Sequence, residues 1–471
     1  MPIDCSFLAD LELSGEVSFT DADRGHHAAD FGTEEQGGAV NPDAVVWPAD
    51  TDDVSAVLAA ANERGVPVTP FAAGTGLEGA AVAAYGGVSL DMTRMDAVLE
   101  LRAEDRQIDV EPGVLGSAVN EAAASAGLFF PPLPSSGDLS TIGGMIATDA
   151  SGMQTVKYGE VADWVLGLEA VLADGTVVRT GSRAVKTSSG YNLTELLIGS
   201  EGTLAVVTRA TLRLAGRPDQ IRGGRATFGS LDDAVAAVTD AVQSGVDVAA
   251  IELLDPVSVR LANAYAGTDL PDQPMTFLEF HADHHVEAEI DFCRSVFEAH
   301  DVERFELADR AEMDTLWQAR KDLAFAMRAY DPDRVPYHPG DVTVPISQLG
   351  AIIDYIQSLA EADDLIVPCF GHAGDGNLHY SILVDRDDAD EVERAERLYR
   401  RVIERAIDLG GTSTGEHGIG RGKREYLVRE HGEAAVELMR TVKRALDPKD
   451  TLNPGKLFPE TARGERVRAT E

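Results

Sequence analysis

PFAAGTGLEG, residues 70–79, decides how the first half of this chain is read. It closes a β-prone stretch, VPVTPFAAG, and its GTGLEG (74–79) fits the dinucleotide string G-x-G-x-x-G. A Rossmann unit would continue with a helix of several turns and a second strand ending in an acidic residue. Here only AAVAAYGG separates the loop from the next strand, VSLDM, which is too short for a strand–helix–strand crossover. The Rossmann reading is therefore rejected. Backbone amides of such a loop can still cradle a pyrophosphate without a long helix behind them.

Working outward, VVWPAD, DDVSAVLAAANERG and VPVTPFAAG read as strand, helix and strand. Val54, Val57, Leu58 and Ala61 share a helical face, and Gly65 with Pro67 supplies the stop. QIDVEPGV is a further strand, SAVNEAAASAG a short helix ended by Gly127, and VLGLEAVLADGTVVRT a hairpin across Ala173-Asp174-Gly175. The pattern breaks around Ala215–Asp219. Beyond it, longer amphipathic helices (LDDAVAAVTDAVQSG, HVEAEIDFCRSVFEAH, QLGAIIDYIQSLAEA) alternate with strands such as ATF, MTFLEFHA and LIVPCFG. The expectation is an α+β protein with an N-terminal segment 1–37, a first domain 38–217 and a second domain 218–471.

The charge balance excludes some partners. There are 80 acidic against 40 basic residues, a net charge of −40, and only seven lysines. Such a surface repels nucleic acid and anionic lipid. Acidic residues spread along the chain, with lysine scarce, resemble proteins of salt-saturated cytoplasm, and a halophilic, haloarchaeal source is expected. Cys5, Cys293 and Cys369 form no CxxC pair, which points to a reducing compartment. No apolar run approaches a membrane span, and the acidic N-terminus lacks signal-peptide features. A cytoplasmic location is expected, and it leaves room for peripheral contact with the inner face of the membrane.

Two more glycine-rich stretches follow the first, at 132–159 and 190–214. Each alone is turn chemistry; three in one domain suit a long polyanionic ligand lying along backbone. PFAAGTGLEGA, EPGV, STIGGMIATDASG, KYG, GYNLTELLIGSEGTL and the late NPGK, in that order, resemble the FAD-binding domain of the vanillyl-alcohol oxidase/p-cresol methylhydroxylase (PCMH) superfamily. The resemblance implies a two-part PCMH-type FAD-binding domain, an α+β substrate (cap) domain, and a C-terminal segment returning to the flavin. It implies FAD contacts at Pro70, Ala73, Gly74, Thr75, Gly76, Leu77, Thr141, Gly144, Ser151, Gly152, Glu201, Gly202, Val207 and Asn453. Some members attach FAD through a histidine in these loops; none of the quoted stretches contains one, so the FAD is expected to be non-covalent. Ala80 and Ala205 stand where relatives have glycine, and each adds a methyl near the expected cofactor.

In the second domain, GHAGDGNLHYSILV (371–384) sets His372 and His379 on either side of a Gly-Asp-Gly-Asn turn. The pair reads either as metal ligands or as structural histidines of a hairpin. TSTGEHGIGRGKREYL (412–427) adds Glu416 and His417 between glycines. Two histidines and one carboxylate suit Zn2+ or Mn2+ and leave positions open for substrate. These stretches, with LWQARKDLAFA (316–326), GDVTVPIS (340–347) and KRALDPKDTLNPGK (443–456), are similar to the C-terminal domain of the FAD-dependent D-2-hydroxyacid dehydrogenases. That likeness implies His372, His379 and Glu416 as ligands, Arg320 as the anchor of the substrate carboxylate, and His417 as the base. The implied reaction is oxidation of a short D-2-hydroxy acid, D-lactate to pyruvate, with hydride transfer to flavin N5. Ala324 and Pro339 add no cation for a second carboxylate, which favours D-lactate, then glycolate, over a D-2-hydroxyglutarate-type substrate. The likeness implies a cytochrome as electron acceptor; since no iron–sulfur or cytochrome-binding motif is present, a quinone or another electron-transfer partner is also expected. A homodimer is compatible with all of this. Competing readings are the flavin subunit of a glycolate-oxidising complex, a colourless metallohydrolase and a non-catalytic nucleotide-binding module.

Overall fold

The computed structural model describes residues 2–34, 38–331 and 333–459. The chain divides into two compact units. The first comprises residues up to Ser151, Glu160–Arg217 and the segment from Glu416; the second comprises Gly152–Gly159 and Pro218–Gly415. The segment from Glu416, grouped with the second domain by sequence, thus clusters with the first unit. Among the described residues, no helix is long and apolar enough to cross a membrane.

In the first unit, Glu16–Ser18, Ala44–Trp47, Val88–Asp91 and Val68–Phe71 lie side by side in that order. The leading residues therefore supply an edge strand, and Cys5, Phe7 and Leu8 join the core beneath it. The helix Thr51–Arg64 starts where the Asp50 side chain accepts the Asp53 N–H and stops at Gly65, φ 68°. Its Val54, Val57, Leu58 and Ala61 are buried, as the periodicity requires. Val68–Phe71 and Val88–Asp91 are parallel neighbours, joined by residues 72–87 without a helix. The Rossmann crossover is absent as expected; the glycine loop itself is long enough to cross over. A second, antiparallel sheet of five strands includes the hairpin Val165–Val171/Val177–Gly181, with Gly175 at φ 87° in its turn.

The second unit is built on a seven-stranded antiparallel sheet. Its order is Val302–Ala308, Gln220–Phe228, Met275–Ala282, Ala250–Leu254, Cys369–His372, Asn377–Val384 and Val335–Thr343. ATF is the end of a nine-residue strand, and MTFLEFHA coincides with its strand. LIVPCFG yields a strand only from Cys369, after Pro368, which lacks the N–H a ladder needs. Helices Pro256–Ala266, Arg310–Lys321 and Leu323–Tyr330 bury Val259, Leu316 and Met327 against Leu254, Met275 and Phe277 on one sheet face. Strand partners project to the same face. His372, Glu252 and Phe277 form one row on it, and Asp341, His379, Phe370 and Leu254 the next.

Candidate active site

In the second unit the two histidines are brought together by a hairpin. Strands Cys369–His372 and Asn377–Val384 turn through Gly376 at φ 84°, and the Asp375 side chain accepts the Asn377 N–H at 3.0 Å. His372 and His379 are buried, and their rings stand at 89° with Nε2 atoms 3.4 Å apart. That separation is long for a hydrogen bond. Two nitrogens each about 2.0–2.1 Å from a tetrahedral zinc would lie roughly 3.3 Å apart, so the pair fits a metal. His372 Nδ1 lies 2.5 Å from Glu252 Oε1. An ionised carboxylate only accepts, so Nδ1 carries the proton and Nε2 presents its lone pair.

Glu252 is the residue that the motifs did not reveal. It sits in the apolar strand Ala250–Leu254 with no exposed surface, and its second oxygen accepts Arg320 Nε at 2.6 Å. Burial opposes its ionisation, but Arg320 and His372 outweigh that and hold its carboxyl below the ordinary range. Its one sequence signal is a lone carboxylate within VAAIELL, at a position of the inward row. Arg320 is 5% exposed and lies over the Phe370 ring, 4.7 Å from its centre. Among the described residues, its buried Nη2 has no hydrogen-bond partner. A buried guanidinium with a donor to spare is suited to an incoming carboxylate.

Asp341, opposite His379 in register, has no exposed surface and holds the end of the unit. Its oxygens accept Asn377 Nδ2 at 2.7 Å, Thr414 Oγ1 at 2.8 Å and the Gly415 N–H at 2.8 Å. A Cβ at Gly415 would fall 1.9 Å from Asn377 Nδ2, so only glycine can pass there. The next residue in the chain is Glu416.

In the first unit, Ser151 Oγ donates to Glu416 Oε2 at 3.3 Å, and His417 Nε2 stands 4.0 Å from Glu416 Oε1. The loop beyond is pinned by Glu201, whose carboxylate accepts the N–H groups of Ile419 at 2.6 Å and Gly420 at 2.8 Å. Burial pushes the Glu201 carboxyl up to about 7 against those donors and Lys456. Burial, aided by Arg421, pushes the Lys456 ammonium down to about 7. Asn453 donates from Nδ2 to the carbonyls of Ala80 at 3.0 Å and Glu201 at 2.7 Å. The side chains of Glu201 and Asn453 thus bind protein atoms that shape the loops. Gly202, φ 66°, lies against Pro70, where a Cβ would be 3.0 Å from the ring.

The loop 73–77 fits a pyrophosphate. The carbonyls of Gly74 and Gly76 accept from Phe31 N at 2.8 Å and Gly32 N at 3.0 Å. Among the described residues, the N–H groups of Ala73, Gly74, Thr75, Gly76 and Leu77 donate to no protein atom. A run of available backbone donors is an anion cradle. Thr75 Oγ1 lies 3.1 Å from Ser140 Oγ, and Thr141 caps the helix that contains Gly144. Val207 lies on the strand Val206–Arg213, while Gly152 belongs to the second unit, its N–H held by Thr155 Oγ1 at 2.9 Å. The Ala205 methyl, expected near the cofactor, packs into the core beside Leu204.

Two family models match the chain. A family model described as "FAD binding domain" matches residues 42–181, and one described as "FAD linked oxidases, C-terminal domain" matches 217–457. A "Probable D-lactate dehydrogenase, mitochondrial" from Danio rerio is 40% identical over 89% of this chain and 85% of its own length. A "D-lactate dehydrogenase [cytochrome], mitochondrial" from Arabidopsis thaliana is 39% identical over 89% of this chain and 74% of its own. The "Glycolate oxidase subunit GlcD" of Bacillus subtilis is 35% identical over 96% of each chain. Among solved structures, an alkyldihydroxyacetonephosphate synthase shares the fold with a TM-score of 0.76 at 18% identity, over 96% of this chain and 86% of that one.

Proposed function

Because the chain belongs to the FAD-linked oxidases of the vanillyl-alcohol oxidase/PCMH superfamily and binds FAD through its first domain, we propose that it oxidises a short D-2-hydroxy acid, D-lactate to pyruvate first, and delivers the electrons to an acceptor other than NAD. The observation that carries this reading is the buried guanidinium of Arg320 on the same sheet face as the His372–His379 pair. Relatives named D-lactate dehydrogenase support the substrate, and those named "[cytochrome]" support a cytochrome as acceptor.

FAD would supply the acceptor for the α-hydrogen as hydride, and a divalent ion, Zn2+ or Mn2+, would supply the Lewis acidity that lowers the pKa of the substrate hydroxyl. His372 and His379 would hold the ion with Glu416, which the peptide chain delivers directly after Gly415 and its anchor on Asp341. Arg320 binds the substrate carboxylate through Nη2, and Phe370 fixes the plane of the guanidinium. His417 takes the hydroxyl proton at a ring nitrogen, acting as general base. Ala324, one turn beyond Arg320, and Pro339, paired with Ser381, add no second cation, which favours a monocarboxylate.

The near full-length match to a glycolate oxidase subunit supports a second reading, glycolate oxidation within a larger complex. The test is anaerobic addition of substrate to the FAD-loaded, metal-supplied chain while the flavin band is followed. Bleaching by D-lactate and not by L-lactate is expected. Bleaching by glycolate alone would transfer the proposal to the second reading, and no bleaching by any 2-hydroxy acid would end it.

A further inference from the structure

We infer that Glu252 is the positioning residue that makes His372 and Arg320 one unit, so that metal affinity and substrate affinity depend on a single buried carboxylate. The inference rests on the reading of His372 as a metal ligand and Arg320 as the substrate anchor, and it adds the element that ties them. The geometry is divided with one oxygen for each partner: Oε1 meets His372 Nδ1 at 2.5 Å and Oε2 meets Arg320 Nε at 2.6 Å.

Each contact leaves its partner with one defined function. On His372 it fixes the tautomer, so the nitrogen facing His379 is the one with a lone pair. On Arg320 it uses the Nε edge, and with the Phe370 ring beneath the guanidinium it leaves the outer Nη2 edge as the donor to spare. Glu252 is held for this by its place in the sheet. It lies on the strand Ala250–Leu254, between the strands carrying His372 and Phe277, and its register partner His372 stands directly opposite. A carboxylate there could instead serve only to neutralise Arg320. That bland role predicts that its loss harms folding alone.

Glu252→Gln separates the two. An amide oxygen can satisfy one partner but not both, because the other amide atom is a donor. Zinc affinity is measured by competition with a chromophoric chelator on metal-stripped, FAD-loaded protein, alongside KM for D-lactate. Zinc binding is expected to weaken about 10–100-fold, the usual effect of removing such a partner. KM is expected to rise about tenfold or more with flavin content near that of the wild type, while the thermal midpoint falls because Arg320 loses its buried counter-charge. Wild-type values of both zinc affinity and KM in this variant would overturn the inference. If the single variant does not fold, Glu252→Gln/Arg320→Met removes both buried charges together. Its zinc affinity should remain at least about tenfold weak, and wild-type zinc affinity would overturn the role on His372. The wild-type chain is the control: failure to take up zinc or to be reduced by D-lactate would overturn the proposed function itself, and this role with it.

Discussion

Arg320 is 5% exposed, and a carboxylate and an aromatic face take the place of its water. A lysine there would present a point charge, with neither the fork that meets Glu252 and a substrate carboxylate together nor the plane that lies on Phe370. A hydrogen bond to a charged group contributes about 1.5–3 kcal/mol. Arg320→Lys should therefore lower kcat/KM for D-lactate by roughly 10- to 100-fold, mainly through KM, in steady-state assays with an artificial acceptor. His417→Asn should slow anaerobic flavin reduction by about 100-fold or more while leaving zinc content unchanged, because general-base catalysis contributes about 10²–10⁴-fold. Stopped-flow absorbance reads the first and chelator titration the second. At this scale the motifs singled out His372, His379, Glu416, His417 and Arg320 as candidates. Glu252 stayed hidden, since one glutamate in VAAIELL has no neighbours in the chain that explain it.

Elements set how well such residues are aimed. Gly376 closes the hairpin between the histidines at φ 84°, and a Cβ there would fall 2.1 Å from the Val344 carbonyl. Gly376→Ala combines a left-handed backbone with a backbone clash, so it should cost more than about 1 kcal/mol by denaturant unfolding. It should also weaken zinc binding, because the turn carries His379. In the five-stranded sheet, burial would raise the Asp109 carboxyl, but Arg102, Arg209 and Thr211 bind it and hold it down to about 2. A depressed carboxyl contributes stability that is present above its unfolded value, about 3.9, and is lost as pH falls through about 2. Asp109→Asn should thus be less stable than wild type at pH 7, with the difference shrinking as acid unfolding is followed from pH 4 toward 2. Such elements were largely legible: helix periodicity, the Gly65 stop and the Asp174-Gly175 turn lie within a few residues of one another, whereas the Asp50 cap appears only in the structure. Strands Ala250–Leu254 and Val302–Ala308 were not singled out, because their pairing partners are distant in the chain.

Over the whole molecule, a net charge of −40 opposes compaction by self-repulsion. Screening shortens the reach of each charge from about 10 Å at 0.1 M salt to about 3 Å at 1 M. The thermal midpoint of the FAD-loaded chain should therefore rise as KCl is raised over that range. A flat or falling midpoint by scanning calorimetry would remove the case that the acidic surface is adapted to salt. Motif order is a property of the chain, and its resemblance to a known superfamily pointed to the family, to FAD and to candidate site residues without reference to any contact. Tertiary structure alone decided that the leading strand Glu16–Ser18 belongs to the first unit, that the strands on either side of residues 72–87 pair in parallel, and that Glu252 stands between Arg320 and His372. The reason is physical: a motif is read from neighbours in sequence, whereas a buried charge is sustained by partners that only strand register brings opposite it.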